Sequence, residues 1–545
     1  MSTANRAIRV VKNESQRGPS RESLLEMLQL LFTVSPEQFA EERQSEEHIG
    51  ALVREFLLTT NINTDIDGGS LAEEFKDSDI PDNPCSVDVY LSQLAESVVT
   101  HSTHISSPRF IGHMTSALPY FVRTLGKLLI GMNQNLVKVE TAKALSPYER
   151  QVLAMVHRLV YQQPDAFYTE HIQQHKSTLG IHVSGGTLAN ISALWCARNS
   201  RFRRFDGFGG IDQDGFAAAL SAYGFGGAAI IGSTLIHYSF EKAADALGLG
   251  VKGLIKVPVN TRGQIDLPAL HEAIETCRSR KLCILAIVGN AGTTETGAID
   301  PLVDLADICR RARTHFHVDA AWGGPLLFSH RYKFKLSGIE LADSVTMDGH
   351  KQLYLPMGSG MVVFRDPHAA AAIEKHARYI VRTGSADLGC RSLEGSRPGT
   401  ALFLQAALNI IGRRGYELLI EENLRKARYL AEAIRSHDEF ELLTEPEMNI
   451  LTYRYVPTRW RKQAAAGRLS REENQAISRV NERLQELQLR SGFSFVSRTT
   501  LAHTRYGKGV PIVALRSVIA NPNTTETDID AVLRDQISIA ACYGL

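Results

Sequence analysis

The chain has 545 residues, of which 44% are hydrophobic, and this length and composition predict a globular protein of two or three domains. Its 60 basic and 59 acidic side chains leave a net charge of +1, which gives no indication of a nucleic-acid or anionic membrane partner. There is no apolar run of membrane-spanning length and no secretory signal. Seven scattered cysteines, never spaced Cys-x-x-Cys, favour reduced thiols, no metal site and a soluble, cytoplasmic protein.

The N-terminal region is predicted to be helical after a disordered start at residues 1–19. Ser23 and Glu26 have the spacing of a capping box, which marks the start of a helix. An apolar stripe at helical spacing follows, formed by Leu24, Leu25, Leu28, Leu31 and Phe32. This stripe could pack on the chain's own core or on a second subunit, and both alternatives stay open.

A long helical region is predicted from Thr115 to Gln162, with interruptions near residues 131–135 and 146–147. Asn133 and Asn135 lie in the first interruption, and asparagine side chains compete with a helix for backbone hydrogen bonds. They could end a helix or line a pocket as a polar patch. From the residues alone, the end of a helix is the favoured interpretation.

A strand, a glycine turn and a helix start follow one another within Gly180–Arg198. Ile181–Val183 closes a short strand, Ser184–Thr187 turns, and an alanine-rich helix begins at Leu188. The free N–H groups and positive end of such a helix form an anion site, to which Thr187 can add a hydroxyl donor. A Gly-Gly-Thr triplet alone is usually only a turn, but its placement here favours a phosphate site.

Further predicted strands also end in polar or glycine-rich clusters, after a stretch at residues 202–227 that predicts a long surface loop. These clusters are centred on His237, Asn290, Asp319 and Gly349. His237 taken alone could equally be a helix cap. Because the carboxyl ends of strands in an α/β sheet share one edge, we expect the clusters to converge there.

Asp348-Gly-His-Lys351 lies beyond the last of these predicted strands. Lysine is one of the few side chains that can form a Schiff base with a carbonyl cofactor. A lysine in such a loop is more often a solvated surface residue, so its chemical interpretation depends on the neighbouring clusters.

The character of the sequence changes beyond Pro367. Residues 378–400, rich in Gly, Ser and Arg, predict a mobile active-site loop. The remainder alternates helix and strand as a smaller α+β domain. The predicted organisation is a helical N-terminal segment (1–110), a large α/β domain with a mostly parallel sheet (111–390) and a small C-terminal domain (391–545).

One cofactor, pyridoxal 5′-phosphate (PLP), requires all of these features together. Its phosphate needs a helix start such as Gly186-Thr187, and its aldehyde needs a lysine such as Lys351. Its pyridine nitrogen needs a carboxylate such as Asp319, because the protonated ring is the electron sink for a substrate carbanion. Asp319 could be a cap and Lys351 a surface charge, but those explanations account poorly for the whole set.

From about Pro108 to its C-terminus, the chain resembles the group II pyridoxal-dependent amino-acid decarboxylases, and within them most nearly the bacterial aspartate 1-decarboxylases. His317-Val-Asp-Ala-Ala-Trp-Gly-Gly324 is similar to the family's H/N-V-D-A-A-W/Y motif, and Asp348-Gly-His-Lys351 to its N-P-H-K motif. The resemblance implies a fold type I, aspartate aminotransferase-like architecture. Because Asp348 replaces a neutral residue on the phosphate side, we expect it not to contact the phosphate.

The resemblance also implies a role for each matching residue. Lys351 would form the Schiff base, Asp319 would pair with the pyridine nitrogen, His237 would stack on the ring, and Ala321 would pack on its other face. Gly186, Thr187 and His350 would meet the phosphate, and Thr294 would lie near the ring substituents. Arg516 would bind the substrate carboxylate, Tyr379 would reprotonate the substrate carbon, and His113 and Asn135 would line the side-chain pocket.

The implied function is α-decarboxylation of an acidic L-amino acid, with aspartate to β-alanine and carbon dioxide as the expectation. A desolvated side-chain carboxylate needs hydrogen-bond donors, which His113 and Asn135 can supply. Glutamate and cysteine sulfinate are alternative substrates. More remote alternatives are an aromatic amino-acid decarboxylase, a transaminase or carbonyl-forming lyase, and a non-catalytic homologue. The family is dimeric with active sites at the subunit boundary, so a homodimer is expected.

Overall fold

A seven-stranded sheet forms the centre of the protein. A computed structural model describes residues 20–377, 381–382 and 384–545. The strands of this sheet are β1 (Gly180–Val183), β2 (Gly227–Ser233), β3 (Leu254–Val257), β4 (Leu282–Asn290), β5 (His315–Asp319), β6 (Ser344–Asp348) and β7 (Gly360–Phe364). Their spatial order is β1-β7-β6-β5-β4-β2-β3. Only β7 runs antiparallel to its neighbours within this sheet, so the predicted mostly parallel α/β fold is confirmed.

Helices cover the sheet and extend the chain at both ends. Among the described residues, those before β2 are α1 (Arg21–Leu30), α2 (Pro36–Leu58), α3 (Gly68–Glu74), α4 (Val87–Leu94), α5 (Tyr120–Met132), α6 (Val139–Ala142), α7 (Leu145–Tyr161), α8 (Asp165–His171), α9 (Gly186–Arg201) and α10 (Ile211–Ala222). Those after β2 are α11 (Ser239–Ala246), α12 (Leu267–Ser279), α13 (Leu302–Ala312), α14 (Ala401–Ile410), α15 (Gly412–Ser436), α16 (Arg461–Ala465), α17 (Arg471–Ser491) and α18 (Glu526–Tyr543). None of the helices in the described part combines the length and apolar composition needed to cross a membrane.

Strands β4 and β7 are apolar because both faces of the sheet are covered. Every residue of β6 and β7 is buried, and β4 is buried over most of its length. Parallel sheets bury both faces in this way, which explains the continuous apolar runs in the sequence. The side chains of β5, β6 and β7 pack into the main core with those of α7, α13 and α14.

A second, antiparallel sheet lies in the C-terminal part of the chain. It contains β8 (Phe440–Leu442), β9 (Ile450–Tyr455), β10 (Ser497–Thr504) and β11 (Gly507–Val518) in the order β10-β11-β9-β8. Side chains of α15, α17 and α18 pack against it in a separate hydrophobic core. The proposed domain boundaries at residues 110 and 390 stay a prediction.

Three local predictions need correction. Residues 202–227 are not one long loop, because α10 lies within them. Ser20, rather than Ser23, caps α1, since its side chain accepts a hydrogen bond from the Ser23 N–H. The interruption expected near residues 146–147 lies slightly earlier, at Lys143–Ala144 between α6 and α7, and residues 146–147 belong to the first turn of α7. Proline is tolerated in a first turn because its missing N–H would have no helical partner there. The disorder predicted for residues 1–19 lies outside the described residues.

Candidate active site

The polar clusters converge on one cavity of about 480 Å³ at the carboxyl edge of the large sheet. Ser184 follows β1, His237 follows β2, and Asn290, Asp319 and Asp348 are at or beside the ends of β4, β5 and β6; all five residues line this cavity. A volume of this size is typical of a small-molecule site. The expected convergence of strand ends is therefore confirmed.

The start of α9 faces this cavity. α9 begins at Gly186, and no described side chain caps its first turn, which leaves backbone N–H groups available to an anion. Gly186 and Thr187 both line the cavity. A Cβ atom at residue 186 would lie only 2.9 Å from Oδ2 of Asp348, so a larger residue there would displace that carboxylate.

Lys351 and Asp348 form an ion pair beside the start of α9. Nζ of Lys351 lies 3.1 Å from Oδ2 of Asp348, and Nε2 of His350 lies 3.6 Å from the same oxygen. Among the described residues, the other oxygen of Asp348 is buried and accepts no hydrogen bond. Nδ1 of His350 lies 2.9 Å from the carbonyl of Ser359; a carbonyl only accepts, so Nδ1 carries the proton. The cavity therefore holds a lysine whose charge is balanced within the site.

Asp319 presents a carboxylate with both oxygens oriented by N–H donors. The backbone N–H of Ala321 donates to Oδ1 at 3.1 Å, and Nδ2 of Asn190 donates to Oδ2 at 3.1 Å. Such donors suit an ionised carboxylate, which can only accept. Asp319 is 8% exposed. The carboxylate is thus held in one orientation at the end of β5.

His237 lies at the entrance to α11 with one ring nitrogen engaged. Its Nδ1 lies 2.8 Å from the hydroxyl of Ser239, and the backbone N–H of Ser239 donates to the same nitrogen at 3.3 Å. Burial lowers the pKa of His237 below its usual range, although the nearby charge of Asp319 acts in the opposite direction. The ring is therefore predominantly neutral at neutral pH.

Arg516, on β11, reaches the cavity from the small sheet. Its Nε donates to the carbonyl of Thr294 at 2.7 Å, and its Nη1 donates to Ser497 at 3.0 Å and to the carbonyl of Gly112 at 3.3 Å. Within the described part of the chain, its Nη2 makes no hydrogen bond. Burial lowers the pKa of Arg516 to about 10, so the guanidinium remains charged at neutral pH. Nη2 of Arg516 is therefore available to donate a hydrogen bond to an anion in the cavity.

His113 stands close to Arg516 and also lines the cavity. Burial lowers the pKa of His113, and the positive charges of Arg516, Lys351 and His350 lower it further. His113 is therefore a neutral hydrogen-bonding group at neutral pH. Together, these side chains make one part of the lining rich in N–H donors.

Most of the predicted site residues share this cavity, with two exceptions. The lining includes Gly186, Thr187, His237, Thr294, Asp319, Ala321, His350, Lys351, Arg516 and His113. Asn135 does not line it: its amide donates to Ser396 and accepts from the N–H of Val137, so its polar atoms are used elsewhere. The expected contact of Asn135 with substrate is thus not available in this cavity of a single chain. Tyr379 lies outside the described residues.

Several lining residues were missed by the sequence analysis. They are Met114, Asn190, Leu235 and Tyr238. Asn190 had a detectable signal, because it is a polar residue one turn after Gly186 in an otherwise apolar helix face. Met114, Leu235 and Tyr238 had no such signal, since apolar and aromatic residues beside a turn are usually part of a core.

The side chains present fit PLP at four points. An uncapped helix start suits a phosphate, Lys351 suits an aldehyde, Asp319 suits a pyridine nitrogen, and His237 and Ala321 offer surfaces for a flat ring. Asp348 is the exception, because an acid beside a phosphate repels it. Sheet topology and site together define the class of PLP-dependent enzymes of fold type I.

Comparisons with known proteins agree with this class. Residues 70–456 match the family described as pyridoxal-dependent decarboxylase conserved domain. An aspartate 1-decarboxylase of Aliivibrio fischeri is 47% identical over 476 residues, which cover 86% of each chain. An L-2,4-diaminobutyrate decarboxylase of Rhizobium meliloti is 28% identical over 392 residues, covering 71% of this chain and 73% of that one. The crystal structure of mouse CSAD has the same fold, with a TM-score of 0.79 at 24% identity, covering 92% of this chain and 98% of that one.

The chain belongs to the pyridoxal-dependent decarboxylase family, since the family match spans most of its length. It is a PLP-dependent amino-acid decarboxylase, that is, a carboxy-lyase with PLP as its cofactor. The resemblance inferred from the two sequence motifs is therefore confirmed.

Proposed function

We propose that the protein decarboxylates L-aspartate at its α-carbon, producing β-alanine and carbon dioxide. This proposal rests on the presence of both Arg516 and His113 in the cavity lining. Within the described residues, Nη2 of Arg516 makes no hydrogen bond and can donate to a substrate. A dicarboxylic substrate needs two sets of donors, one for each carboxylate, because a desolvated carboxylate without donors is costly. The 47% identity to an aspartate 1-decarboxylase further supports aspartate.

The cofactor end of the cavity would hold PLP through its phosphate and its ring. The first turn of α9, with Gly186 and Thr187, would hold the phosphate together with His350. Asp319 would accept a hydrogen bond from the pyridine nitrogen, while His237 and Ala321 would pack on the two faces of the ring. When bound, PLP supplies an aldehyde that takes up an amine and a protonated ring that accepts the electron pair released on decarboxylation.

The remaining residues bind and orient the substrate. Lys351 would hold the cofactor covalently until the substrate amine replaces it. Arg516 would donate to one carboxylate of the substrate, and His113 would donate to the other. Thr294 would limit the space beside the ring, and its carbonyl already fixes Nε of Arg516 at 2.7 Å. For Tyr379 we retain the role that the family implies, which is donating a proton to the carbon that has lost its carboxylate.

Other substrate classes fit the lining less well. A diaminobutyrate side chain carries an ammonium group, but the acids that line the described part of the cavity are Asp319, which would face the pyridine nitrogen, and Asp348, which pairs with Lys351. An aromatic side chain would have to desolvate the N–H donors of Arg516 and His113 without replacing their hydrogen bonds. Glutamate and cysteine sulfinate satisfy the same donors as aspartate and remain the alternatives.

We also propose a homodimer whose second subunit completes the substrate end of the cavity. Neither α1 nor α2 contains a buried residue, although both carry large exposed apolar side chains, among them Leu28 and Leu30 on α1 and Phe39 on α2. Apolar helix faces of this kind are covered in stable proteins. A stable and fully active monomer in light scattering is the result that contradicts this proposal.

A cytoplasmic location is proposed from the thiols. All seven cysteines are free, and two of them, Cys85 and Cys542, are exposed. Exposed free thiols are typical of a reducing compartment. Alkylation in intact cells followed by mass spectrometry would test it, and Cys85 or Cys542 recovered as a disulfide would contradict it.

The substrate proposal is tested by kcat/KM of the PLP-loaded protein on aspartate, glutamate, cysteine sulfinate, 2,4-diaminobutyrate and tyrosine. Aspartate is expected to have the highest value. The margin over glutamate should be about 10–200-fold, the range that one methylene group provides. A higher value for glutamate would leave the reaction class intact and change the substrate. A higher value for diaminobutyrate or tyrosine would refute the roles given to Arg516 and His113.

A further inference from the structure

Asn190 lies in the wall of the cavity, and both of its side-chain polar atoms are hydrogen-bonded. It is on α9, one turn after Gly186, and is 1% exposed. Its Nδ2 lies 3.1 Å from Oδ2 of Asp319 and 3.0 Å from the hydroxyl of Ser239, and its Oδ1 lies 3.0 Å from Nε2 of His317. One amide therefore connects two side chains of β5, His317 and Asp319, with Ser239, which follows β2.

The orientation of this amide follows from hydrogen-bond chemistry. A carboxylate only accepts, so the atom of Asn190 that faces Asp319 must be the NH₂ group. Its carbonyl oxygen then faces His317, whose Nε2 must carry a proton. Burial lowers the pKa of His317 to about 3, so the ring is neutral and its Nδ1 accepts from the hydroxyl of Ser344 at 2.8 Å. Every donor in this chain of contacts thus meets an acceptor.

A second series of hydrogen bonds connects Asn190 to His237 through Ser239. The hydroxyl of Ser239 accepts one N–H of Asn190, so its own proton is directed at Nδ1 of His237, 2.8 Å away. The backbone N–H of Ser239 also points at this nitrogen, at 3.3 Å. Nδ1 therefore accepts from two donors, and a neutral His237 must carry its proton on Nε2. The same amide that orients Asp319 selects the tautomer of His237.

We propose that Asn190 is a positioning residue for the cofactor: it keeps a donor on Asp319 and, through Ser239, keeps the proton of His237 on Nε2. The inference rests on the roles proposed above for Asp319 and His237, and it is independent of which amino acid is the substrate. A carboxylate that accepts from Asn190 retains lone pairs with which to pair with a ring nitrogen. A fixed tautomer leaves His237 one defined donor to offer in the cavity.

The test uses the cofactor-free full-length protein and two phosphate esters. Pyridoxine 5′-phosphate has the ring nitrogen but lacks the aldehyde, so it cannot react with Lys351. Benzyl phosphate has a ring and a phosphate but no ring nitrogen. The ratio of their affinities is measured by calorimetry of the first and competition by the second. It reports the contacts of the substituted pyridine ring, and the change of this ratio in Asp319→Asn measures the contact between Asp319 and the nitrogen. This readout requires no catalysis.

Asn190→Asp has the same shape but replaces the donor by an oxygen, which places two carboxylates at hydrogen-bond distance and forces them to share a proton. Affinity for pyridoxine 5′-phosphate is expected to fall about tenfold, the effect of removing one hydrogen bond to a charged group. Affinity for benzyl phosphate should stay within about twofold, because the contacts to a phosphate lie at the start of the helix. Asn190→Ser, which adds no charge, should show the same selective loss and serves if the first variant does not fold.

Asn199→Asp is the matched control, because Asn199 is also buried on α9 but donates to the carbonyl of Ala372. It should leave the affinity ratio unchanged. Equal losses for both esters in the Asn190 variants would indicate a merely structural role and overturn the proposal.

Asp319→Asn distinguishes a failure of the role proposed for Asn190 from a failure of the role proposed for Asp319. If it lowers the ratio while the Asn190 variants do not, only the role of Asn190 fails; if it leaves the ratio unchanged, the role of Asp319 fails as well.

Discussion

The two ends of the cavity are built in different ways. The proposed cofactor end comes from strand ends of one sheet, and its main side chains, Asp319, His237 and Lys351, have their hydrogen-bond or ionic partners between residues 190 and 348. The substrate end is assembled from distant segments, since Arg516 on the small sheet is fixed by carbonyls of Thr294 and Gly112.

This difference separates reaction class from substrate. The proposed cofactor end can be shared by enzymes that act on different amino acids, because its proposed contacts do not involve the substrate side chain. The substrate end can vary through residues outside the sheet, such as His113. Substitutions at the first end should therefore change cofactor binding and the rate of chemistry, and those at the second end should change KM and selectivity.

Replacing Lys351 should produce the largest effect. Lys351→Ala is expected to lose the visible absorbance of bound cofactor and nearly all turnover, because it removes the amine that holds the aldehyde. Lys333→Ala, at the surface, is the control and should retain both. Borohydride reduction followed by peptide mass spectrometry should locate the cofactor on residue 351 of the unmodified protein. Its recovery on another lysine would refute the assignment.

Asp319→Asn should be the next largest effect at the cofactor end. The amide cannot keep the pyridine nitrogen protonated, so kcat should fall about a hundredfold to a thousandfold, as when a key electrostatic group is removed. Covalent uptake of PLP should persist, because Lys351 is untouched. Asp304→Asn, exposed at the start of α13, should have no effect. Near-normal turnover of the Asp319 variant contradicts the electron-sink role.

Arg516→Lys should weaken substrate binding without affecting cofactor binding. Lysine cannot keep the contacts to Thr294 and Ser497 and still present a donor pair, because it lacks the planar fork of arginine. KM for aspartate should rise about tenfold or more, with PLP affinity unchanged. Arg498→Lys, on the neighbouring strand and paired with Glu486, is the matched control. A loss of PLP affinity in Arg516→Lys would contradict this prediction, because it would assign Arg516 to cofactor binding.

Asp348→Asn tests the one feature of the cofactor end that does not favour a phosphate. The carboxylate lies against Gly186, where its charge repels a bound phosphate. Neutralising it should increase PLP affinity about tenfold, on the scale of a like-charge contact in a partly buried site. Asp343→Asn, which alters a carboxylate paired with Arg365 away from the cavity, should leave this affinity unchanged. Weaker binding by Asp348→Asn would instead indicate that its pairing with Lys351 dominates.

The smallest effect is expected at His113 and should depend on pH. The pKa of His113 is lowered by burial and by three neighbouring cations, so it is neutral at neutral pH and gains a proton only in acid. His113→Asn should raise KM for aspartate about threefold at neutral pH, the effect of one neutral hydrogen bond. The ratio of variant to wild-type KM should grow as the pH falls below that pKa, because only protonated His113 adds a charge-assisted contact. A KM ratio that does not change with pH would contradict a contact between protonated His113 and the substrate carboxylate. His271→Phe, at the surface, is the control and should leave KM unchanged.

The sequence by itself determined the fold class and most of the cofactor end. Gly186-Thr187, Asp319 and Lys351 were predictable because strand, turn and helix signals are local, and parallel strands then bring their ends to one edge. The motif around His317 and the one ending at Lys351 were enough to indicate the family. The N–H donors on Asp319 were not predictable, because one comes from a helix 129 residues earlier in the chain.

Only the tertiary structure decided how remote segments meet. Nη1 of Arg516 contacts the carbonyl of Gly112 across 404 residues, and no local pattern predicts which carbonyl will receive it. Asn135 was assigned to the pocket by resemblance, yet its amide bonds to Ser396, 261 residues away. Side-chain pairings of this kind depend on how separately formed elements pack, and sequence periodicity constrains only the face that each element buries.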